Sequence, residues 1–234
     1  MIPQSTLLAF DFDGTLAPIE EDPAGVRMYR AAATLIEEAS GLQGVVVAIV
    51  SGRDVEDLLE RTRARGAYLV GSHGLEIRGP GGAVIRDTPP LDVDLPENLA
   101  ADIERASLRL ERKKHALALH WRGVQSTAPE TMIVRFRAWA RSAGLDIIDG
   151  RCVVEARCRG GGKEEALRWV AGAIGASRVI YAGDDVTDFG ALRFAAEHGR
   201  ALFVASSERV PPPGVTVVES FRELFRAVRK EVMI

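Results

Sequence analysis

Two short acidic strings, each set directly behind an apolar run, carry the residues best suited to chemistry. The first is Asp11-Phe12-Asp13-Gly14-Thr15-Leu16, which follows Thr6-Leu7-Leu8-Ala9-Phe10. A carboxylate can attack phosphorus and divide a hydrolysis into two easier displacements through an aspartyl phosphate, the part for which Asp11 is placed. A second carboxyl two residues on, Asp13, can protonate a leaving oxygen and then activate water, general acid and base work by one group. The second string is Gly183-Asp184-Asp185-Val186-Thr187-Asp188. Magnesium is held by one or two carboxylates, with a substrate phosphate and waters completing an octahedron. Asp11 with Asp184 meets that need, Asp13 joins the expected ligand set, and Asp188 is expected to buttress the loop.

Ser51 ends the run Val45-Val46-Val47-Ala48-Ile49-Val50, and Lys163 follows three glycines. A hydroxyl and an ammonium aimed at a phosphoryl group supply the donor and the positive charge that its transition state needs. Gly14, Thr15, Arg53 and Asp185 flank these groups and are expected in supporting positions. Each string also has a bland reading: aspartates and serines behind strands cap turns and helices, and a lysine at a helix start is commonly a solvated charge. The order Asp-x-Asp, then Ser, then Lys, then Asp-Asp, with every member at a strand end or a helix start, outweighs four separate coincidences.

The elements that must position these groups are legible as alternation. Apolar runs at 6 to 11, 45 to 51, 67 to 72, 178 to 184, 200 to 206 and 215 to 218 are continuous and rich in β-branched residues, as strands buried on both faces should be. Between them, 27 to 40, 53 to 65, 163 to 175, 187 to 197 and 220 to 231 have helical period; Leu167, Val170, Ala171 and Ile174 fall at i, i+3, i+4 and i+7. The pattern predicts an α/β fold, a doubly wound, Rossmann-like parallel sheet, with ligands beyond the carboxyl ends of its strands.

From about 88 to 158 the rhythm changes. A helix over 96 to 112, the alternating strand His115 to Arg122, a helix over 129 to 143, and two strands meeting at Gly150 predict a small open-faced α+β cap inserted into the core. The expected division is 1–87 with 159–234 for the core and 88–158 for the cap, left through Gly160-Gly161-Gly162.

Composition sets the outer bounds. The chain has 234 residues, of which 47% are hydrophobic, enough for a sizeable core. A formal net charge of −3 with scattered basic residues gives no sign of nucleic acid as partner. The opening Met1 to Phe10 has no basic region, and Asp11 interrupts its apolar run, so neither a signal peptide nor a membrane span is expected, and a cytoplasmic location follows. Cys152 and Cys158 fall in one extended run, roughly 20 Å apart at ~3.3 Å per residue, too far to pair and too sparse for zinc. Protein partners are not indicated.

With these motifs in place the sequence resembles the haloacid dehalogenase superfamily, whose phosphatases use the four motifs in this order; the resemblance covers roughly 1 to 86 and 160 to 234. It implies a catalytic core, a magnesium cofactor and an aspartyl-phosphate intermediate.

Strand parity then points to a ligand. In the strand from 115, Leu117, Leu119 and Trp121 take one face and Ala116, Ala118, His120 and Arg122 the other; Glu155 and Arg157 share a face opposite Val154 and Ala156. An apolar face packed on the cap helices would leave His120, Arg122, Glu155 and Arg157 for a polyhydroxylated ligand, or for solvent. A finer resemblance is to trehalose-6-phosphate phosphatases, carried by Leu16-Ala17-Pro18-Ile19, Ser51-Gly52-Arg53, Gly71-Ser72-His73-Gly74-Leu75-Glu76, Glu111-Arg112-Lys113, His120-Trp121-Arg122 and Val154-Glu155-Ala156-Arg157. It implies a small-molecule sugar phosphate, foremost trehalose 6-phosphate, recognised by His73, Glu76, Lys113, His120, Arg122 and Glu155. Lys114, not Lys113, has the parity of His120, so which lysine faces the ligand stays open. Glu164 stands where that family has glycine. Sucrose phosphate or mannosylglycerate phosphate are alternative substrates, and a non-catalytic sugar-phosphate sensor is the alternative of a different class.

Overall fold

The computed structural model describes residues 5–20, 25–124, 128–150, 152–205 and 209–233. Residues 1–4, part of the opening read above, and position 206, the expected end of a strand, lie outside them. The chain divides into two compact units, Met1–Asp87 with Gly161–Ile234, and Thr88–Gly160.

The larger unit is built on β1 (Ser5–Asp11), α1 (Arg30–Ser40), β2 (Val45–Val50), α2 (Val55–Thr62), β3 (Tyr68–Gly71), β4 (Glu76–Arg78) and β5 (Val84–Asp87). With β10 (Ala176–Gly183), β11 (Gly199–Val204) and β12 (Thr216–Val218) from the returning chain, its sheet has the order β12-β11-β10-β1-β2-β3-β4-β5, the strands from β12 to β3 being parallel and the last pairings antiparallel. The fold is α/β with a parallel-sheet core. The β4–β5 hairpin was not expected: its strands are short, and Gly79-Pro80-Gly81-Gly82 between them reads only as a turn.

The continuous apolar runs are explained by burial on both faces. Leu8 and Phe10 of β1, with Val47 and Ile49 of β2, pack in one cluster with Leu35 of α1 and Leu58 of α2. Leu7, Ala9, Ala48 and Val50 point the other way, into a cluster with residues of two further helices. Each fully buried Leu, Ile or Phe contributes roughly 1.5–3 kcal/mol.

The smaller unit holds α3 (Glu97–Arg105), β6 (Arg109–Arg112), β7 (Ala116–His120), α4 (Ala128–Ser142), β8 (Asp146–Gly150) and β9 (Val153–Arg157), its antiparallel sheet ordered β6-β7-β9-β8. Leu117, Leu119, Val154 and Ala156 pack with Leu99, Ile103, Phe136 and Ala140 of the helices, as parity required. The helix expected over 96 to 112 ends instead at Arg105. Ser107 turns into the left-handed region with φ 55°, and the next residues become the edge strand β6, whose exposed Arg109 and Arg112 discourage further pairing. The strand expected to run to Arg122 stops at His120. Residue 158 remains in this unit, since the Cys158 amide donates to His115 O.

The chain returns through α5 (Lys163–Ile174), β10 (Ala176–Gly183), α6 (Phe189–His198), β11 (Gly199–Val204), β12 (Thr216–Val218) and α7 (Phe221–Val232). Residues of α5 and α6 cover the Leu7 and Ala9 face and those of α7 the Leu8 and Phe10 face. Thus α1, following β1, and α6, following β10, lie on opposite faces although β1 and β10 are neighbours. A crevice opens at such a reversal, beyond the carboxyl ends of the strands.

Candidate active site

Asp11 is the last residue of β1 and Asp184 follows the last residue of β10, so the crevice is flanked by carboxylates from both sides. Oxygens of Asp11, Asp184 and Asp188 all lie within 4.8 Å of one another, and all three residues are buried. Lys163, the first residue of α5, sends its ammonium among them, with Nζ 2.7 Å from Asp11 Oδ1 and 2.8 Å from Asp188 Oδ1.

Asp188 is saturated. Its Oδ1 accepts from Lys163 Nζ and from the Tyr181 hydroxyl at 2.6 Å, and its Oδ2 accepts from the amides of Asp184 at 3.2 Å and Asp185 at 3.1 Å. With about four acceptor positions on a carboxylate, none is left over. Asp185 and Asp188 also form a reciprocal capping box over the turn Val186–Asp188. Capping and buttressing are therefore the same act: the turn that starts α6 fixes the carboxylate that holds Lys163. Tyr181 was missed in the sequence. Its signal was a lone hydroxyl inside an aliphatic strand, where burial demands a partner.

One ammonium cannot balance three buried carboxylates. Burial first, and then the neighbouring Asp188, push the Asp184 acid up to about 7. Asp11 is raised well above the usual carboxylate range by burial, against the pull of Lys163. Lys163 itself is held charged, the loss of solvent being overcome by Asp11 and Asp188. Surplus negative charge carried on oxygen alone, with no His or Cys in the group, fits a hard divalent cation. Asp11 and Asp184 are the residues able to hold it. Asp13, expected among the ligands, is not in this group: its carboxylate is gripped by Arg53, Nε to Oδ2 at 2.7 Å and Nη2 to Oδ1 at 2.6 Å.

Gly14 makes the arrangement possible. It sits at φ +84°, and a Cβ there would lie 2.2 Å from Asp184 Oδ2. Thr15 is fully buried, and among the described residues its hydroxyl has no hydrogen-bond partner. Ser51, behind β2, is buried; its Oγ accepts from the Arg53 amide at 3.1 Å, which leaves the hydroxyl hydrogen to donate.

The turn after β3 is strapped to this loop. His73 N donates to Ser51 O at 2.9 Å and Ser72 N to Arg53 O at 2.7 Å. Ser72 and His73 stand at φ 49° and 54°, a strained region for side chains with a Cβ. The His73 ring presses on the loop, its Nε2 2.5 Å from where a Cβ on Gly52 would be. Glu76 is buried; its Oε2 accepts from Val55 N at the start of α2 and from Ser72 Oγ, both at 3.1 Å.

In the smaller unit, Lys113 Nζ lies 2.5 Å from Glu155 Oε2. Lys113 reaches the Glu155 row because its parity is that of β6, not of β7: Glu111 pairs with Ala118, Ala118 with Glu155, and the Lys113 amide continues the ladder to Ala116 O, so the turn at 114 and 115 resets the count made along the strand from 115. His120 Nε2 is 2.8 Å from Glu111 Oε2, and that bond, with Lys113 nearby, holds the Glu111 acid down at about 2. Arg122 is on an exposed turn past the end of β7, so the strand face does not present it as expected. Cys152 and Cys158 are free thiols. Among the described residues no helix is long and apolar enough to cross a membrane.

Residues 9–208 match the sequence model of the family described as trehalose-phosphatase. The chain belongs to the trehalose-phosphatase family. Among its relatives is a trehalose-phosphate phosphatase of Mycobacterium marinum (strain ATCC BAA-535 / M), 30% identical over 85% of this chain and 54% of that protein. Another is an uncharacterised glycosyl hydrolase of Mycobacterium tuberculosis, 35% identical over 79% of this chain but only 15% of that protein. The chain thus spans about half the length of the former and a small part of the latter. The C-terminal domain of a trehalose-6-phosphate phosphatase from C. albicans shares the fold with a TM-score of 0.77 at 19% identity, over 98% of this chain and 93% of that one. A trehalose-6-phosphate phosphatase related protein does so with a TM-score of 0.71 at 23% identity, over 97% of both chains.

Proposed function

We propose that this chain is a magnesium-dependent phosphatase that hydrolyses trehalose 6-phosphate to trehalose and inorganic phosphate through an aspartyl phosphate. The observation that carries the reading is the Asp11 carboxylate at the crevice, one oxygen fixed by Lys163 Nζ at 2.7 Å and the group kept dry by its neighbours. Its second oxygen is the nucleophile. Attack on phosphorus forms the aspartyl O–P bond as the P–O bond to the sugar breaks, and the departing sugar oxygen takes a proton from Asp13. Asp13 then removes a proton from water, which attacks the phosphorus and returns phosphate and the free Asp11 carboxylate.

Lys163 and the Ser51 hydroxyl face the charge that gathers on the phosphoryl oxygens. A magnesium ion on Asp11 and Asp184 would offset the charge of carboxylate and phosphate together. Arg53 holds both Asp13 oxygens, so one arm of that fork has to yield while Asp13 moves its proton. Family membership and the M. marinum relative favour trehalose 6-phosphate as substrate, with Glu155, Lys113 and His120 recognising sugar hydroxyls and His73 and Glu76 shaping the loop beside the phosphate.

Asp11→Asn tests the reading, since the amide keeps the shape without the nucleophile. Phosphate release is expected to fall at least about a thousandfold with an unchanged melting temperature. Substantial hydrolysis by a deamidation-free sample of this variant would show that another group attacks phosphorus.

A further inference from the structure

We propose that Asp57, in the first turn of α2, is a positioning residue for the proton-transfer group Asp13, acting through Arg53. The proposal rests on the reading of Asp13 given above. The guanidinium of Arg53 is shared between two carboxylates: Nε and Nη2 grip Asp13, while Nη1 donates to Asp57 Oδ2 at 2.9 Å. Asp57 is itself fixed from behind. Its Oδ1 accepts from Arg61 Nε at 2.8 Å, and Arg61 Nη1 donates to Val26 O at 2.6 Å. The guanidinium also lies over the Phe12 ring, 5.5 Å from its centre. Every donor edge of Arg53 that faces a carboxylate is thereby set, and a planar fork held on one edge presents its other edge in one orientation.

Surface ion pairs in general do little, and an i,i+4 pair such as Arg61 with Asp57 contributes a few tenths of a kcal/mol at most to a helix. What makes this set different is its position. The side chains of Arg53 and Arg61 are only 13% and 9% exposed, and the row ends on the carboxylate that has to meet the leaving oxygen. Remove the Asp57 charge and Arg53 keeps its contact with Asp13 but loses the partner that aims it. The chemistry affected is proton transfer alone; Asp11, Lys163 and the acidic cluster are untouched. Proton transfer from a well-placed group is worth about 10²–10⁴-fold, so imperfect placing forfeits part of that.

Leaving groups separate this from a general structural role. A sugar oxygen needs its proton in the first step, whereas an activated phenolate departs without one. Asp57→Asn is expected to lower kcat on the sugar phosphate about three- to thirtyfold with KM nearly unchanged, a partial loss of the acid–base factor. With p-nitrophenyl phosphate the initial burst of phenolate, which reports Asp11 attack, is expected to stay within about twofold, while the later steady rate slows because water activation still needs Asp13. Arg53→Lys, which keeps the charge and discards the fork, is expected to show the same split.

A wild-type sample that releases no phosphate from any ester overturns the phosphatase reading itself. A wild type that turns over, with Asp57→Asn either unchanged on both substrates or depressed equally in burst and steady rate, overturns only the positioning role. Melting temperatures of both variants show whether an equal loss comes from unfolding.

Discussion

A methyl group at position 14 has nowhere to go. The backbone there is left-handed, and the Cβ would fall 2.2 Å from an oxygen of Asp184, a residue whose amide donates to Asp188 of the capping turn. Gly14→Ala is therefore expected to displace Asp184, weaken magnesium binding and cut phosphate release at least about a hundredfold, since small misplacements of charged groups are costly in rate. A metal titration beside the activity assay checks it; wild-type values in both would show that Asp184 does not need its present place. At this scale the gathering of the acidic groups around Lys163 was legible. Asp11, Lys163 and Asp184 come together because each ends or follows a strand or starts a helix at the same end of the sheet, which the order of the strings along the sequence indicates. What stayed hidden were side-chain pairings across long separations: the Arg53 fork takes the Asp13 carboxylate, and the Tyr181 bond to Asp188 adds a support. No local pattern encodes either.

Elements rather than residues assemble the acidic cluster: β1, β10 and the turn before α6 deliver their carboxylates to one point, and α5 brings a single compensating charge. Because burial and Asp188 raise the Asp184 acid from its usual value to about 7, folding without metal favours the protonated form. The stability this contributes is whole below about pH 4 and is lost as the pH rises through about 7. Magnesium needs the ionised carboxylates, so it competes with that proton. Excess magnesium over chelator is expected to raise the melting temperature by about 5 °C or more at pH 8 and by no more than about 1 °C at pH 5. A shift of equal size at both pH values would contradict the cluster as the metal site. Element boundaries were less legible where charge and apolar spacing fit either structure. The run to Arg112 keeps a helical charge pattern, yet Ser107 breaks it and the β7 edge captures the remainder as a strand. Long strands buried on both faces were plain, whereas the short β4–β5 hairpin was not.

For the molecule as a whole, the division into a parallel-sheet unit and an inserted antiparallel unit separates two tasks in the proposed reaction. The larger unit carries every group assigned to bond making and breaking. The smaller one offers a polar sheet row, with Glu155 tied to Lys113 and His120 to Glu111, suited to recognising hydroxyls. A site that binds hydroxyls by charged, hydrogen-bonded side chains rejects a ligand lacking them far better than an apolar pocket rejects a small size change. The measurement that bears most directly on the central claim is phosphate release by the wild-type chain from trehalose 6-phosphate, sucrose phosphate, glucose 6-phosphate and p-nitrophenyl phosphate, each in saturating magnesium and again after chelation. The account predicts a kcat/KM for trehalose 6-phosphate at least about tenfold above that for glucose 6-phosphate, and loss of turnover to background on chelation. Preference for another sugar phosphate, or undiminished release from a metal-free sample, would contradict it.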